Sequence, residues 1–240
     1  MKRMSDINHT SSVFEAELAE LDAKVGKLAD LAARQLKSSV KALFDFKVEK
    51  VDKLIKRDDR LDRLEMQVAE QAVEILAIRS PQATDLRQVI AAQKAATIYE
   101  RMGDYARNTA NRAKAIMGTE ASDLPLEHLV AMGTIVTGMV IDVGVAYSKV
   151  DADLAMEIRD SDVKVDELHN EIHRQLIAYL QDVPENAVAT SHMLFIAKNF
   201  ERVGDYATGI AELIYYRANA DMPENFRQKA DQTSWMTDDD

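Results

Sequence analysis

The chain of 240 residues contains no cysteine, only four prolines and a single tryptophan. The absence of cysteine excludes disulfide bonds and thiolate metal sites, so any bound metal must be held by oxygen or imidazole ligands. It also suits a reducing compartment, and we expect a cytoplasmic protein. The N-terminal stretch MKRMSDINHTSSVFE lacks the apolar run of a signal peptide.

Basic residues are scarcer than acidic ones, at 30 against 41, which gives a formal net charge of −11. This balance argues against a nucleic acid as the main partner and favours a cation or a basic protein surface. The longest uncharged apolar run, HLVAMGTIVTGMVI at 128–141, is too short to span a bilayer. We therefore predict a buried helix there and expect the protein to reach membranes only peripherally, through its partners.

The apolar residues follow a helical repeat. Near the N-terminus they advance in steps of four, three, four and three, at Phe14, Leu18, Leu21, Val25 and Leu28. That spacing is the seam of an amphipathic helix in a bundle. The stretch SVFE has the form of a capping box and places the start of the first helix near Ser12. All four prolines lie where the periodic segments break, as expected if proline is excluded from helix interiors.

These patterns predict an all-α fold with six long helices. We expect them at about 11–45, 48–79, 82–117, 124–149, 151–182 and 187–219, and we expect Gly118 to end the third in a left-handed conformation. The six divide into two tandem antiparallel three-helix bundles, with a topology like that of spectrin repeats. The predicted domains are 10–118 and 123–219, followed by a flexible acidic tail at 220–240.

One motif occurs twice. IYERMGDYARN at 98–108 is nearly repeated as NFERVGDYATG at 199–209, and each copy falls in the third helix of its repeat. On a helix, residues four positions apart face the same way, so each copy presents a glutamate and an aspartate side by side. The second helix of each repeat offers another acidic pair. The predicted metal ligands are Asp58, Asp62, Glu100 and Asp104 in the first repeat and Asp162, Asp166, Glu201 and Asp205 in the second.

Electrostatics indicates what such a cluster would bind. Two carboxylates about 6 Å apart repel by roughly 3 kcal/mol at an effective dielectric constant near 20, so four together are unfavourable without cations. Oxygen ligands favour divalent or trivalent ions such as Mg, Mn and Fe or, less selectively, Zn. Bridging carboxylates would also permit a multinuclear cluster.

Each motif also carries a glycine inside its helix, Gly103 or Gly204. Glycine costs about 1 kcal/mol relative to alanine in such a position. A cost that occurs twice suggests a common reason: room beside the carboxylates for an ion or for a closely packed helix.

Simpler interpretations remain open. An acidic pair at helical spacing is usually a solvated face, and gene duplication alone could preserve the pattern. His169 and His173 follow Asp166 at a possible ligand spacing, but surface positions explain them equally well. A structural helical scaffold accounts for the repeats without any bound metal.

Enzyme motifs are not found. A carboxylate-bridged di-iron enzyme of the ferritin type needs a Glu-x-x-His motif on each of two helices, and no such duplicated motif is present. The sequence also lacks a Gly-x-x-x-x-Gly-Lys phosphate loop and a Gly-x-Ser-x-Gly elbow. We therefore expect no catalytic activity.

Taken together, these features resemble the PhoU family. The resemblance rests on two three-helix repeats with ER-apolar-GD in the third helix, SPQATDLR before the first copy, and Asp-x-x-x-Asp in the second helix, and it extends over residues 10 to 217. The second repeat departs from it, because VPENAVATSHMLF lacks the DLR of the first, which confines any role of Arg87 to the first repeat.

The resemblance implies a non-enzymatic regulator of phosphate-specific transport that lowers the phosphate-starvation response when phosphate is plentiful. Its implied partners are the ATPase subunit of the phosphate transporter and the phosphate-sensing histidine kinase. The family's acidic motifs fall on the eight carboxylates named above and imply multinuclear metal clusters on the bundle surface. We also expect a homodimer.

Overall fold

The computed structural model describes residues 2–45, 59–121, 124–223 and 230–233. It confirms the predicted all-α fold. The helices are α1 (Lys2–Asp45), α2 (Asp59–Arg79), α3 (Ala83–Met117), α4 (Glu127–Lys149), α5 (Ala152–Ser161), α6 (Val163–Asp182) and α7 (Ala187–Asn219), with a short 3-10 helix at Pro184–Asn186 before α7.

The predicted start of the first helix and the predicted conformation of Gly118 are wrong. α1 begins at Lys2, so Ser12 does not start it, and the capping-box interpretation fails. The residues before Ser12 include no proline or glycine to interrupt a helix. α3 does end before Gly118, but that glycine has φ −84° and is not left-handed. Positive φ values are instead found at Ser80 after α2, Val150 after α4 and Ala220 after α7.

The predicted helix at 151–182 is two helices, with the break at Asp162. Asp151 begins α5 as predicted, because its side chain accepts a hydrogen bond from the Leu154 amide at 3.0 Å. At the break, the Asp162 amide donates to the Arg159 carbonyl at 3.5 Å, three residues back. Arg159 is itself buried and bonded to Glu212 of α7 at 3.1 Å. Side-chain contacts with α7 thus accompany a bend that no proline or glycine marks.

Four helices form the centre of the molecule. α1 packs on α4 and α3 packs on α7, so the first and last helices of one repeat contact those of the other. The α1–α4 pair is antiparallel: Ala29 lies beside Gly144, while Val40 lies beside Gly133. α2 lies against α1 and α3 on one flank, and α5 and α6 lie against α4 and α7 on the other.

The hydrophobic core is continuous across both repeats. Its largest fully buried side chains include Tyr99 of α3 and Phe200 of α7, both 0% exposed. A Cβ on Gly133 would lie 2.5 Å from Val40 Cγ2 and 2.8 Å from Phe200 Cζ, so three helices of both repeats meet at this glycine. The two repeats are therefore halves of one packed unit.

α4 is the most apolar helix and is long and apolar enough to cross a membrane by length and composition. Half of its most apolar window is buried inside the protein. Its buried residues, among them Met132, Val136 and Val140, belong to the common core. These contacts agree with the buried helix predicted from its sequence.

A polar cluster also joins the repeats. Arg217 of α7 forms a two-pronged ion pair with Asp22 of α1, at 3.2 and 2.6 Å. Tyr147 of α4 and Gln88 of α3 donate to the same carboxylate, at 3.1 and 2.9 Å. One aspartate thus binds side chains from three other helices.

Candidate functional site: two acidic patches

The two copies of the repeated motif lie beside each other, because α3 and α7 pack antiparallel. The rings of Tyr105 and Tyr206, which hold the same position in the two copies, are 5.8 Å apart. Asn199 donates to Thr109 at 3.3 Å, so residue numbers fall along α7 as they rise along α3. Arg101 crosses between the copies and donates to the Tyr206 hydroxyl at 3.5 Å.

The motif glycines allow close packing of the second helix of each repeat. A Cβ on Gly103 would overlap Leu61 Cδ1 of α2 and lie 2.9 Å from Gln35 Oε1 of α1. A Cβ on Gly204 would lie 2.5 Å from Asp162 Oδ1, at the start of α6. Of the two reasons proposed for these glycines, the closely packed helix is the one the structure supports.

These contacts also correct the alignment of the repeats. Gly103 and Gly204 are 101 positions apart, and so are their contacts, Leu61 and Asp162. The sequence interpretation paired Asp58 and Asp62 with Asp162 and Asp166, an offset of 104. At the observed offset, Asp166 corresponds to Glu65, and the core residue Leu61 corresponds to the buried Asp162.

The first patch is formed by Asp62 and Glu65 of α2 and Glu100 and Asp104 of α3. Glu100 experiences the negative charges of all three other members, and Asp104 also interacts with Asp62. Thr97 donates to Glu65 at 3.0 Å, and Arg107 donates to Asp104. The predicted convergence of the α2 and α3 carboxylates is therefore present for these residues.

Burial and mutual repulsion disturb the ionisation of this patch. Burial, then repulsion by Asp104, Asp62 and Glu65, raises the pKa of Glu100 to about 7. Burial also raises the pKa of Asp104, with Asp62 adding to the shift. Both burial and the neighbouring carboxylates disfavour the charged form of Glu100, and a bound cation would favour it.

The second patch is formed by Asp162 and Asp166 at the start of α6 and by Glu201 and Asp205 of α7. It is more buried than the first, since Asp166 is 1% exposed and Glu201 is 5% exposed. Burial raises the pKa of both carboxyl groups, with Asp205 contributing repulsion to each. Each patch is paired with one basic side chain, Arg107 with Asp104 in the first and Lys198 in the second, where Nζ lies 3.0 Å from Glu201 Oε2.

Not every predicted ligand is accounted for. Asp58 lies outside the described residues. Asp62 is exposed, whereas Asp162 packs against Gly204 in the interior. Within the described ranges, the side chains as they stand do not place three histidine, aspartate or glutamate residues around one metal position. The donor chemistry of the first patch suits a hard cation, but its side chains would have to rearrange to surround one.

Sequence reasoning missed Glu65 and Lys198. At an offset of 101, the same distance that separates the motif copies, Glu65 falls on Asp166 and would have been recognised. The same alignment shows Thr97 in the place of Lys198. His169 and His173 take the places of the buried Val68 and Ala72, and His169 is itself buried while His173 is half-buried. Burial lowers the pKa of both histidines.

Sequence comparison relates the whole chain to known proteins. A profile of the PhoU domain matches residues 25–113 and 129–214, one segment in each repeat. The chain is 38% identical to the phosphate-specific transport system accessory protein PhoU homolog of Zymomonas mobilis, over 95% of this chain and 97% of that protein. It is 36% identical to the protein of the same name from Rhizobium meliloti, over 95% and 96% of the two chains.

Solved structures of PhoU proteins are similar to this chain in fold. The crystal structure of PhoU from Pseudomonas aeruginosa matches with a TM-score of 0.84 and 30% sequence identity, covering 87% of this chain and 100% of that one. The phosphate transport system regulatory protein PhoU from Streptococcus pneumoniae matches with a TM-score of 0.82 and 25% identity, covering 88% and 100%. The similarity thus extends through both helical repeats.

Proposed function

The chain belongs to the PhoU family, and on that premise we propose that it regulates phosphate uptake and phosphate-starvation signalling as a metal-binding adaptor. Two relatives that align along nearly their whole length are named accessory proteins of a phosphate-specific transport system. In this proposal the protein holds the sensor histidine kinase inactive when phosphate is plentiful. It does so by linking the kinase to the ATPase subunit of the phosphate transporter.

The metal-binding part of the proposal rests on one observation, the raised pKa of Glu100. Its pKa near 7 reflects burial and three neighbouring carboxylates. A divalent or trivalent ion such as Mg, Mn, Fe or Zn would neutralise that charge, and bridging carboxylates would allow more than one ion. Asp62, Glu65, Glu100 and Asp104 would hold the metal in the first repeat, with Asp58 as a further predicted ligand. Asp162, Asp166, Glu201 and Asp205 are the corresponding candidates in the second.

Metal analysis tests this assignment. Protein purified without chelator should contain metal, and the combined substitutions Glu100→Gln, Asp104→Asn, Glu201→Gln and Asp205→Asn should remove most of it without loss of helical circular dichroism. The matched control is Glu70→Gln with Glu74→Gln, an exposed pair at the same helical spacing on α2. If the control loses as much metal as the patch variant, or if the patch variant loses none, the acidic patches are only a solvated surface.

The adaptor part has its own test. We expect a cytoplasmic homodimer without catalytic turnover that is retained by the transporter's ATPase subunit and by the phosphate-sensing kinase. Pull-downs with and without chelator measure that retention, while a deletion strain should express a phosphate-starvation reporter even in high phosphate. A silent reporter together with no retention by either partner would leave the structural scaffold as the better account.

A further inference from the structure

A short C-terminal segment, residues 230–233, lies against α6 and α7 beside the second patch. Its backbone is held at three points. The Ala230 amide donates to Asp166 Oδ2 at 2.8 Å. Asn170 donates from Nδ2 to the Ala230 carbonyl at 2.7 Å and accepts at Oδ1 from the Gln232 amide at 2.9 Å. Within a region expected to be a flexible tail, these four residues are therefore tied to the bundle.

Asn170 recognises the main chain itself. Its amide bonds one carbonyl and one amide two residues apart, a pattern that any extended segment could satisfy. Selectivity comes from the residue between them. Asp231 accepts from Lys198 at 3.1 Å and lies 3.4 Å from His169 Nδ1. Its carboxylate also accepts from the amide and hydroxyl of Thr233, at 3.0 and 2.7 Å.

The segment engages, directly or through Lys198, carboxylate groups that a cation in the second patch would need as ligands. One oxygen of Asp166 is bonded to the Ala230 amide, and Glu201 is paired with Lys198, which Asp231 holds from its other side. A metal ion that used these oxygens of Asp166 and Glu201 would have to displace the amide and the ammonium group. The Ala230 amide and Lys198 already stabilise the charges of Asp166 and Glu201, whereas Asp231 of the segment adds repulsion to both carboxylates.

The first repeat lacks the side chains that make these contacts. At the offset of 101, Asn170 corresponds to Ala69, His169 to Val68 and Lys198 to Thr97. None of these three side chains could bind an acidic segment in the same way. The two acidic patches are therefore different in kind, although the motifs that form them are nearly identical.

We propose that residues 230–233 form a strap that closes the second patch and competes with cations for it. The inference rests on the proposed metal binding and adds a regulatory device to it. The first patch binds cations without displacing a C-terminal segment, whereas the second binds them only after the strap and Lys198 have moved.

The test uses Mn²⁺ as the probe and a Glu100→Gln, Asp104→Asn background, which confines binding to the second patch. In that background, Asn170→Ala and truncation after Pro223 should each raise Mn²⁺ affinity about tenfold or more. The reason is that the conformation with the strap released, which binds the ion, is then no longer a minor one. The control Asn111→Ala, at an exposed position of α3, should leave the affinity unchanged. A synthetic peptide covering residues 228–236 should restore low affinity to the truncated chain.

A second measurement follows the strap without metal. Hydrogen exchange at the amides of Ala230 and Gln232 should be slow in the full chain, faster in Asn170→Ala and faster again when Mn²⁺ is added to the full chain. If truncation leaves Mn²⁺ affinity unchanged while the first patch of the wild type still binds, the strap is overturned and the proposed function stands. A lower affinity after truncation would make Asp231 a ligand and also overturn it. Absence of Mn²⁺ from both patches in every variant would refute metal binding, and competition with it.

Discussion

At the scale of single residues, Glu100 is the clearest sign that the repeated motif is more than a solvated face. Solvated carboxylates at helical spacing repel each other only weakly. The raised pKa of Glu100 instead reflects partial burial beside three other carboxylates. The residue that pattern analysis identified by spacing alone thus also has an unusual environment.

Replacing this residue should change how stability depends on pH. Between its ordinary value of 4.5 and about 7, the folded protein keeps a proton at Glu100 that the unfolded chain has released. The free energy of unfolding therefore falls as pH rises through that window. In chelator, Glu100→Gln should match the wild type near pH 4 and exceed it by roughly 1–2 kcal/mol at pH 8, a figure reduced for solvent screening. Urea unfolding at both pH values measures this, and a pH-independent difference would contradict it. The exposed Glu157→Gln serves as the control.

Two glycine substitutions should have opposite effects. Gly103→Ala places a methyl group against the fully buried Leu61, and such overpacking typically costs about 1–3 kcal/mol, more than the gain in helix propensity. A Cβ on Gly26 of α1 would meet nothing within 4 Å, so Gly26→Ala should stabilise by about 0.5–1 kcal/mol. Urea midpoints measure both. If Gly103→Ala is instead stabilising, α2 must be able to shift away from this contact and make room for the methyl group.

At the scale of elements, helix positions followed from the sequence wherever apolar periodicity decides the structure. The α3, α4 and α7 patterns predicted helices that the structure confirms. The break at Asp162 could not be predicted, because contacts of Arg159 and Asp162 with α7 define it and no local residue signals it. The start of α1 was missed for the opposite reason. Ser12 and Glu15 form a local capping signal, yet the helix continues back to Lys2.

The candidate site was predictable in part. The motif alone located Glu100, Asp104, Glu201 and Asp205, since repetition at a fixed offset is visible in the sequence. Which residues of the second helices join each patch depends on how these helices are aligned between the two repeats. The sequence prediction aligned them at an offset of 104, three positions away from the observed 101. Asp166 is buried, and it accepts a hydrogen bond from the Ala230 amide, 64 positions away in the sequence. Sequence periodicity does not reveal such a contact.

The polar cluster at Asp22 yields a prediction about how elements are held together. Asp22→Ala removes the acceptor for Tyr147, Gln88 and Arg217 and leaves Arg217, with its side chain only 8% exposed, unpaired by that carboxylate. The Asp22 side chain is 25% exposed, so we expect a cost of about 2 kcal/mol, below the range for fully buried pairs. The control is Asp30→Ala, which breaks an exposed pair with Arg34 on the same helix and should change stability by less than about 0.5 kcal/mol. If Asp22→Ala and Asp30→Ala lower the free energy of unfolding in urea equally, the cluster contributes no more than an exposed ion pair.

At the scale of the whole molecule, the duplicated sequence builds a single unit. α1 and α3 of the first repeat bury apolar residues against α4 and α7 of the second, and Gly133 and Gly144 of α4 and the tyrosines of the motifs lie at those contacts. Each acidic patch lies where a flanking helix meets a central one, α2 with α3 and α6 with α7. Each patch thus belongs to one repeat, while the helices that position both patches are shared.

This arrangement predicts that neither repeat folds alone. A fragment of residues 1–121 would expose the faces of α1 and α3 that pack on α4 and α7, and a fragment of 122–240 would expose the complementary faces. Each would lose the burial that stabilises its central helices while still paying the entropy of ordering the chain. Separately, the fragments should show much lower helical circular dichroism and no cooperative unfolding transition. Mixed in equal amounts they should regain both, whereas the intact chain should unfold in one transition. Two fragments that unfold cooperatively on their own would instead show independent domains of the spectrin type, and would mean that the shared core contributes little to stability.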